Sequence, residues 1–246
     1  MTEPLDCHAT VPDPTSSPPT TREGHRRPFD AVIADVDDTL TLDNSATELL
    51  AALGIPLQRL TDLIRESESG LLDQAAADQR LLALLTSHGR LDRPAVETVF
   101  SKIRLRPSVT PMIRGFQRAG LRVGLISASF GTYVEPMAAR LGVTDRYSNV
   151  QLGFDDTDAL ASVRFTIDAA DLKHRQLHDF CARHRLHPSR VLVVGDSRYD
   201  LRMFACTGRG VLMAFPYNTP LHSHAWRVID RIDELAALAA PATRPE

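Results

Sequence analysis

Cysteine is scarce in this chain, and so are long apolar runs and any excess of positive charge. Each scarcity removes a class of protein. The three cysteines are Cys7, Cys181 and Cys206. An odd number without paired spacing argues against a disulfide framework and fits a reducing compartment. No apolar run is long enough to span a bilayer. The N-terminus lacks the basic-then-apolar pattern of a secretion signal. Lys and Arg total 28 against 31 Asp and Glu, for a net charge of -3 and a pI near 6.3. That balance gives no electrostatic case for nucleic acid or an anionic membrane. No internal repeat stands out. We therefore expect a soluble cytoplasmic protein with a small-molecule partner. Its oligomeric state is not legible.

What is present is core-forming material. The chain has 246 residues and 43% hydrophobic content, enough for one sizeable core or a core with an inserted subdomain. Residues 1–28 are rich in Pro, Thr and Ser and almost free of apolar periodicity, so they read as a disordered tail. Pro241 to Glu246 reads the same way. Ala31 to Ala34 reads as a strand. From about 44 to 104 apolar residues recur at helical spacing: Leu49, Leu50 and Leu53, then Leu81, Leu82 and Leu85, then Val96, Val99, Phe100 and Ile103. This predicts a helical insert over 43–104 within a core of 29–42 and 105–240. Further on, a helix at 111–119 leads to a strand at 122–126, and a helix follows at 133–141. The stretches 149–152 and 162–167 flank polar Asp155–Asp158 and predict a β-hairpin. A helix at 172–184, a strand at 191–194, a helix at 198–206 and strands at 210–214 and 227–229 complete the reading. Short apolar strands alternating with helices predict an α/β fold, a doubly wound parallel sheet with helices on both faces.

The chemistry concentrates where strands end. The first strand runs into Asp35-Val36-Asp37-Asp38-Thr39. Alternate side chains of a strand share a face, so Asp35 and Asp37 project together and Asp38 points away, outside the chemistry. Two carboxylates that close repel, unless one is protonated or a cation lies between them. The use we infer is Mg²⁺-assisted phosphoryl transfer, with one carboxylate as nucleophile and the other as acid/base. The strand at 122–126 ends at Ser127 and the strand at 191–194 at Gly195-Asp196. In open α/β sheets the site lies at these carboxyl ends. Lys173 sits in a first helical turn, where the macrodipole disfavours a cation unless an anion binds there.

Four segments in this order resemble the haloacid dehalogenase superfamily of phosphohydrolases: Asp35-Val-Asp37-Asp-Thr39, Leu125-Ile-Ser127, Lys173, and Gly195-Asp196 with Asp200 four residues on. Within it the chain is similar to the phosphoserine-phosphatase-like branch. That branch carries a helical cap between the first two motifs. Its Ser-Gly-Gly-Phe segment resembles Ser127-Ala-Ser-Phe130, and its Asp-Gly-Ala-Asn-Asp segment resembles Asp196–Asp200.

The resemblance implies Asp35 as nucleophile and Asp37 as acid/base. It implies Mg²⁺ on Asp35, Asp37 (through its carbonyl) and Asp196. Ser127, Ala128 and Lys173 would bind phosphate, and Asp200 would orient Lys173 or a metal-bound water. Asn44 stands where phosphoserine phosphatases carry a Glu for the substrate amino group. Arg80, or Gln79 beside it, stands where they carry an Arg for its carboxylate, and Tyr199 replaces an Asn. These departures point to a small phosphate ester other than phosphoserine. Asn44 with Ser45 and Glu48 also reads as a helix cap. A phosphotransferase or mutase remains the alternative within the superfamily, and a receiver-like phospho-Asp signalling module the one outside it. His174, His178 and Cys181 share a helix at i, i+4 and i+7; a polar helix surface is the ordinary reading, a zinc face the other.

Overall fold

A computed structural model of the chain describes residues 28–239. The tails expected over 1–28 and 241–246 lie outside these residues, except for Pro28.

The run Ala31–Ala34 forms strand β1, with all four residues buried. Four helices follow: α1 (Ser45–Ala52), α2 (Leu57–Glu68), α3 (Gln74–Leu85) and α4 (Arg93–Ser101). Three of their starts are fixed by local sequence. Asn44, Asp73 and Asp92 each accept a hydrogen bond from a first-turn N–H that has no partner within its helix. Helix α5 (Val109–Arg118) leads into β2 (Arg122–Ile126), and α6 (Gly131–Leu141) into β3 (Asp145–Tyr147). The pair β4 (Gln151–Phe154) and β5 (Leu160–Arg164) precedes α7 (Ala169–His184). Then come β6 (Val191–Gly195), α8 (Leu201–Thr207), β7 (Gly210–Met213), β8 (Arg227–Ile229) and α9 (Glu234–Ala239).

Six strands form one parallel sheet in the order β3-β2-β1-β6-β7-β8. This is the doubly wound α/β fold expected from the alternation of strands and helices. The two-residue period of β1 divides the core. Val32 and Ala34 pack with Leu125, Leu192 and Val194 on one face. Ala31 and Ile33 pack on the other with Leu177 and Phe180 of α7 and Met203 and Phe204 of α8. Each such aliphatic or Phe side chain contributes roughly 1.5–3 kcal/mol by burial.

The chain runs outward from β1 on one side through β2 and β3. It resumes at β6 on the other side and continues through β7 and β8. The strand order therefore reverses between β1 and β6, which opens a crevice at their carboxyl ends. Helices α1–α4 fill the connection from β1 towards β2. The antiparallel β4–β5 hairpin packs against α3, where Gln74 and Asp78 bond the backbone of Phe165. No helix among the described residues is long and apolar enough to cross a membrane.

Candidate active site

Strand β1 delivers Asp35 to the crevice. Its N–H donates to the Val194 carbonyl of β6 at 2.9 Å, so the carboxylate emerges beside Gly195-Asp196. Asp35 is 4% exposed and Asp196 5%. Helix α7 starts at Ala169, three residues earlier than expected, so Lys173 sits in its second turn instead of its first; 2% exposed, it reaches between the strands. Its Nζ donates to Asp35 Oδ1 at 2.6 Å and to Asp200 Oδ1 at 2.8 Å. Burial alone would lower the Lys173 pKa; the Asp200 and Asp35 carboxylates outweigh it and hold the ammonium above its usual range.

Asp37 projects beside Asp35 and meets the start of α1. Ser45 donates to it twice, from its N–H to Oδ1 at 2.9 Å and from its hydroxyl to Oδ2 at 2.6 Å. The Ser45 hydroxyl also meets that of Ser129, which follows β2. Burial raises the Asp37 pKa although the Ser45 bonds oppose it, so Asp37 keeps a proton more readily than an ordinary carboxyl. Ser127 is buried at the end of β2 and accepts from the Ser129 N–H at 3.3 Å.

Positive charge is in deficit here. Oxygens of Asp35, Asp196 and Asp200 lie within 4.8 Å of one another, all buried. Lys173 is bonded to two of these residues. Burial pushes Asp196 up to about 6, with the Asp200 charge adding to it. Burial likewise raises Asp35 well above its usual value; Lys173 opposes this, and Asp200 and Asp196 add to it. An all-oxygen donor set of surplus negative charge fits a hard divalent cation, so this acidic cluster could hold a metal. The third carboxylate brought to Asp35 and Asp196 is Asp200, while the Asp37 carboxylate faces Ser45.

A cavity of about 690 Å³ opens over these groups. Asp35, Asp37, Ser127, Ala128, Lys173 and Asp196 line its floor. Leu57, Leu60 and Ile64 of α2, Leu81 of α3, and Phe165 and Ile167 after β5 line its walls. Asn44 and Tyr199 also line it. Both polar ends of Asn44 are engaged, however. Its Oδ1 accepts from Thr47 N–H at 3.2 Å and its Nδ2 donates to Asp38 Oδ2 at 2.7 Å. Arg80 is not brought to the cavity lining; it lies on α3 paired with Glu66. Tyr199 meets Glu68 at the end of α2 at 3.3 Å, beside an Arg198–Glu68 ion pair of 2.7 Å that ties the insert to the β6–α8 loop.

A family model for haloacid dehalogenase-like hydrolases matches residues 29–208. The chain belongs to this family. A phosphoserine phosphatase of Streptomyces coelicolor is 30% identical over 76% of this chain and 44% of its own length. One from Lactococcus lactis is 24% identical over 73% of this chain and 81% of its own. The chain spans about half the length of the first curated relatives it matches. Among solved structures, a phospho-aspartyl intermediate analogue of phosphoserine phosphatase superposes with a TM-score of 0.69 at 20% identity, covering 86% of this chain and 99% of that one.

The geometry of this haloacid dehalogenase-like hydrolase includes residues that the sequence alone did not single out. Thr39 Oγ1 lies 3.1 Å from Asp196 Oδ1 and 3.3 Å from Asp35 Oδ2, so one hydroxyl bridges the ends of β1 and β6. Tyr217 donates to Asp196 Oδ2 at 2.7 Å, and Asn218 Nδ2 to the Asp196 carbonyl at 2.6 Å. Both sit in a 3-10 stretch, Pro216–His224, that carries no apolar period. The signal for Thr39 was its place in the first motif. The signal for Ser45 was its position next to a cap, and it bonds Asp37 instead of closing a capping box.

Gly195 has a strict steric reason. A Cβ there would lie 2.3 Å from Asp200 Cγ, at the point where Asp200 Oδ2 accepts from the N–H groups of Asp196 and Ser197 at 3.2 and 3.1 Å. Gly195→Ala is therefore expected to displace Asp200 from Lys173 and cost about 1–3 kcal/mol by overpacking. A lowered melting midpoint would show this, and an unchanged midpoint would contradict it.

Proposed function

We propose that this hydrolase is a Mg²⁺-dependent phosphomonoesterase. It acts in the cytoplasm on a small phosphate ester, through an aspartyl-phosphate on Asp35. The observation that carries the reading is the division of labour between two neighbouring carboxylates. Burial raises both pKa values, but Asp35 is bonded to an ammonium that favours its anion at the cavity floor, whereas Asp37 is bonded only to hydroxyl and N–H groups. One suits a nucleophile, the other a proton carrier.

Asp35 attacks phosphorus, and the bond from phosphorus to the leaving oxygen breaks. Asp37 gives its proton to that oxygen, so a neutral alcohol departs. Water then attacks phosphorus, Asp37 takes back a proton, and the bond to Asp35 breaks to release phosphate. Ser127 and Lys173 hold the other phosphoryl oxygens. Asp35, Asp196 and the Asp37 carbonyl would hold Mg²⁺, which supplies charge neutralisation at the phosphoryl group. Asp200 keeps Lys173 in place. Helices α1–α4 act as a cap over the cavity.

The cavity also supports a substrate class. Among the described residues, Lys173 is the only basic one lining it. A substrate carboxylate would therefore meet apolar walls and the acidic Asp38, Asp43 and Glu48 without a cation. We expect an alcohol with an apolar body to be the leaving group. A missing charge-assisted contact is worth about 1.5–3 kcal/mol, or roughly a tenfold to hundredfold change in kcat/KM. The test is phosphate release with Mg²⁺ across alkyl, aryl and amino-acid phosphates. Apolar esters should exceed phosphoserine by at least about tenfold. Phosphoserine as the best substrate would overturn the substrate class, and no phosphate release from any ester would overturn the hydrolase reading.

A further inference from the structure

Behind the catalytic floor lies a second cluster, made of His174 and His178 of α7 and Cys206 of α8. One ligand atom from each lies within 4.8 Å of the others. The two Nε2 atoms face each other at 3.2 Å, and Cys206 Sγ lies 3.7 Å from His178 Nε2. Tetrahedral zinc, with bonds of about 2.0–2.1 Å to nitrogen and about 2.3 Å to sulfur, sets nitrogen pairs about 3.3 Å apart and nitrogen–sulfur pairs about 3.6 Å apart. The His174–His178 and His178–Cys206 separations already match those values. None of the three residues lines the catalytic cavity.

We propose that His174, His178 and Cys206 form a Zn²⁺ site that staples α7 to α8. The helical i, i+4 spacing aims both imidazoles to one side of α7. The thiol does not come from the same helix, because Cys181 turns into the sheet-facing core beside Phe180 and Met203, where burial raises its pKa to about 11. It comes from the helix packed alongside. Two imidazoles and a thiolate suit zinc and are foreign to Mg²⁺, so the two metals would sort by donor type. Zinc binding would form one Zn–S and two Zn–N bonds in place of bonds to water, keep one water as the fourth ligand, and release the Cys206 thiol proton to solvent. The staple would link the helix bearing Lys173 to the helix that follows Asp200.

Cobalt reads this directly. Co²⁺ added to the full chain in excess Mg²⁺ should give a thiolate-to-cobalt charge-transfer band and the visible bands of a tetrahedral ion, both removed by Zn²⁺. His178→Ala and Cys206→Ser should each weaken zinc about 100-fold or more. They should also abolish the rise in melting midpoint that zinc gives the wild type. Cys181→Ser should retain binding. Asp196→Asn should retain the cobalt band while losing phosphatase activity, which separates this site from the catalytic one. The wild-type spectrum needs no variant to fold. Absence of the band in the wild type, or a band and affinity unchanged in Cys206→Ser, would mean that the histidines are only hydrogen-bonded to each other.

Discussion

Asp35→Asn is expected to lower turnover by roughly 10⁴-fold or more while leaving the fold intact. The amide keeps the shape of the side chain and cannot form the acyl phosphate. Stability should hold or rise. Burial raises the Asp35 pKa well above its unfolded value, so the protonated form is favoured by folding. Such a group contributes stability below its unfolded pKa and loses it as pH rises through its folded pKa. The asparagine does not titrate, so its advantage over the wild type should grow from acid towards neutral pH. Against this, Lys173 keeps one carboxylate instead of two. Two measurements check the expectation. Acid-quenched wild type should carry phosphate bound as an acyl phosphate and the variant none. Melts without metal should show the variant no less stable at neutral pH. Wild-type-like turnover by the variant would end the mechanism.

The end of β1 was legible because the four residues before Asp35 are apolar and Asp37, Asp38 and Thr39 soon after it are polar. Strands β2 and β6 were legible as apolar runs with polar ends, which put Asp35, Ser127 and Asp196 at one edge of the sheet; that β2 and β6 flank β1 comes from the fold. Strand β3 was not legible, since Asp145-Arg-Tyr147 carries a charge pair rather than an apolar run; it exists because Gly124–Ile126 offer it a ladder. The hairpin sits nearer its turn than the expected 149–152 and 162–167. Asp155 Oδ1 accepts from Thr157 and Ala159 N–H groups and tightens the loop. At the open end Asn149 bonds Thr166 through its side chain, accepting at 2.7 Å and donating at 3.0 Å, in place of ladder bonds. Phe165 and Ile167 are thereby released to the cavity wall. Tyr217 and Asn218 gave no signal, because what they do depends on a turn that folds back over Asp196. The metal-like spacing of His174 and His178 was readable, but a single-helix pattern offered Cys181 where the fold brings Cys206.

Lys173→Met should destabilise the protein by about 3–5 kcal/mol and remove activity together. The ammonium bonds two buried carboxylates, and methionine keeps the bulk of the stem without the charge. What is lost is less the pair itself than the compensation of Asp35 and Asp200, which remain buried and anionic. The remedy is to bind a proton, and the folded pKa of Asp35, already raised, should climb further above that of the unfolded chain. The cost should therefore be larger at pH 8 than at pH 5, because stability from a raised carboxylate is lost as pH rises. The wild-type lysine adds no slope in that window, since its own raised pKa matters only above the ordinary lysine range. Adding Asp200→Asn to the variant removes one uncompensated charge and should recover part of the stability. It should recover no activity, because the phosphoryl oxygens would still lack their cation. Melts of both variants at the two pH values, with phosphate release at each, separate these effects. If the single variant is no less stable at pH 8 than the wild type, Lys173 does not compensate the buried carboxylates. If the double variant regains turnover, Lys173 holds Asp200 in place and does not bind the phosphoryl group.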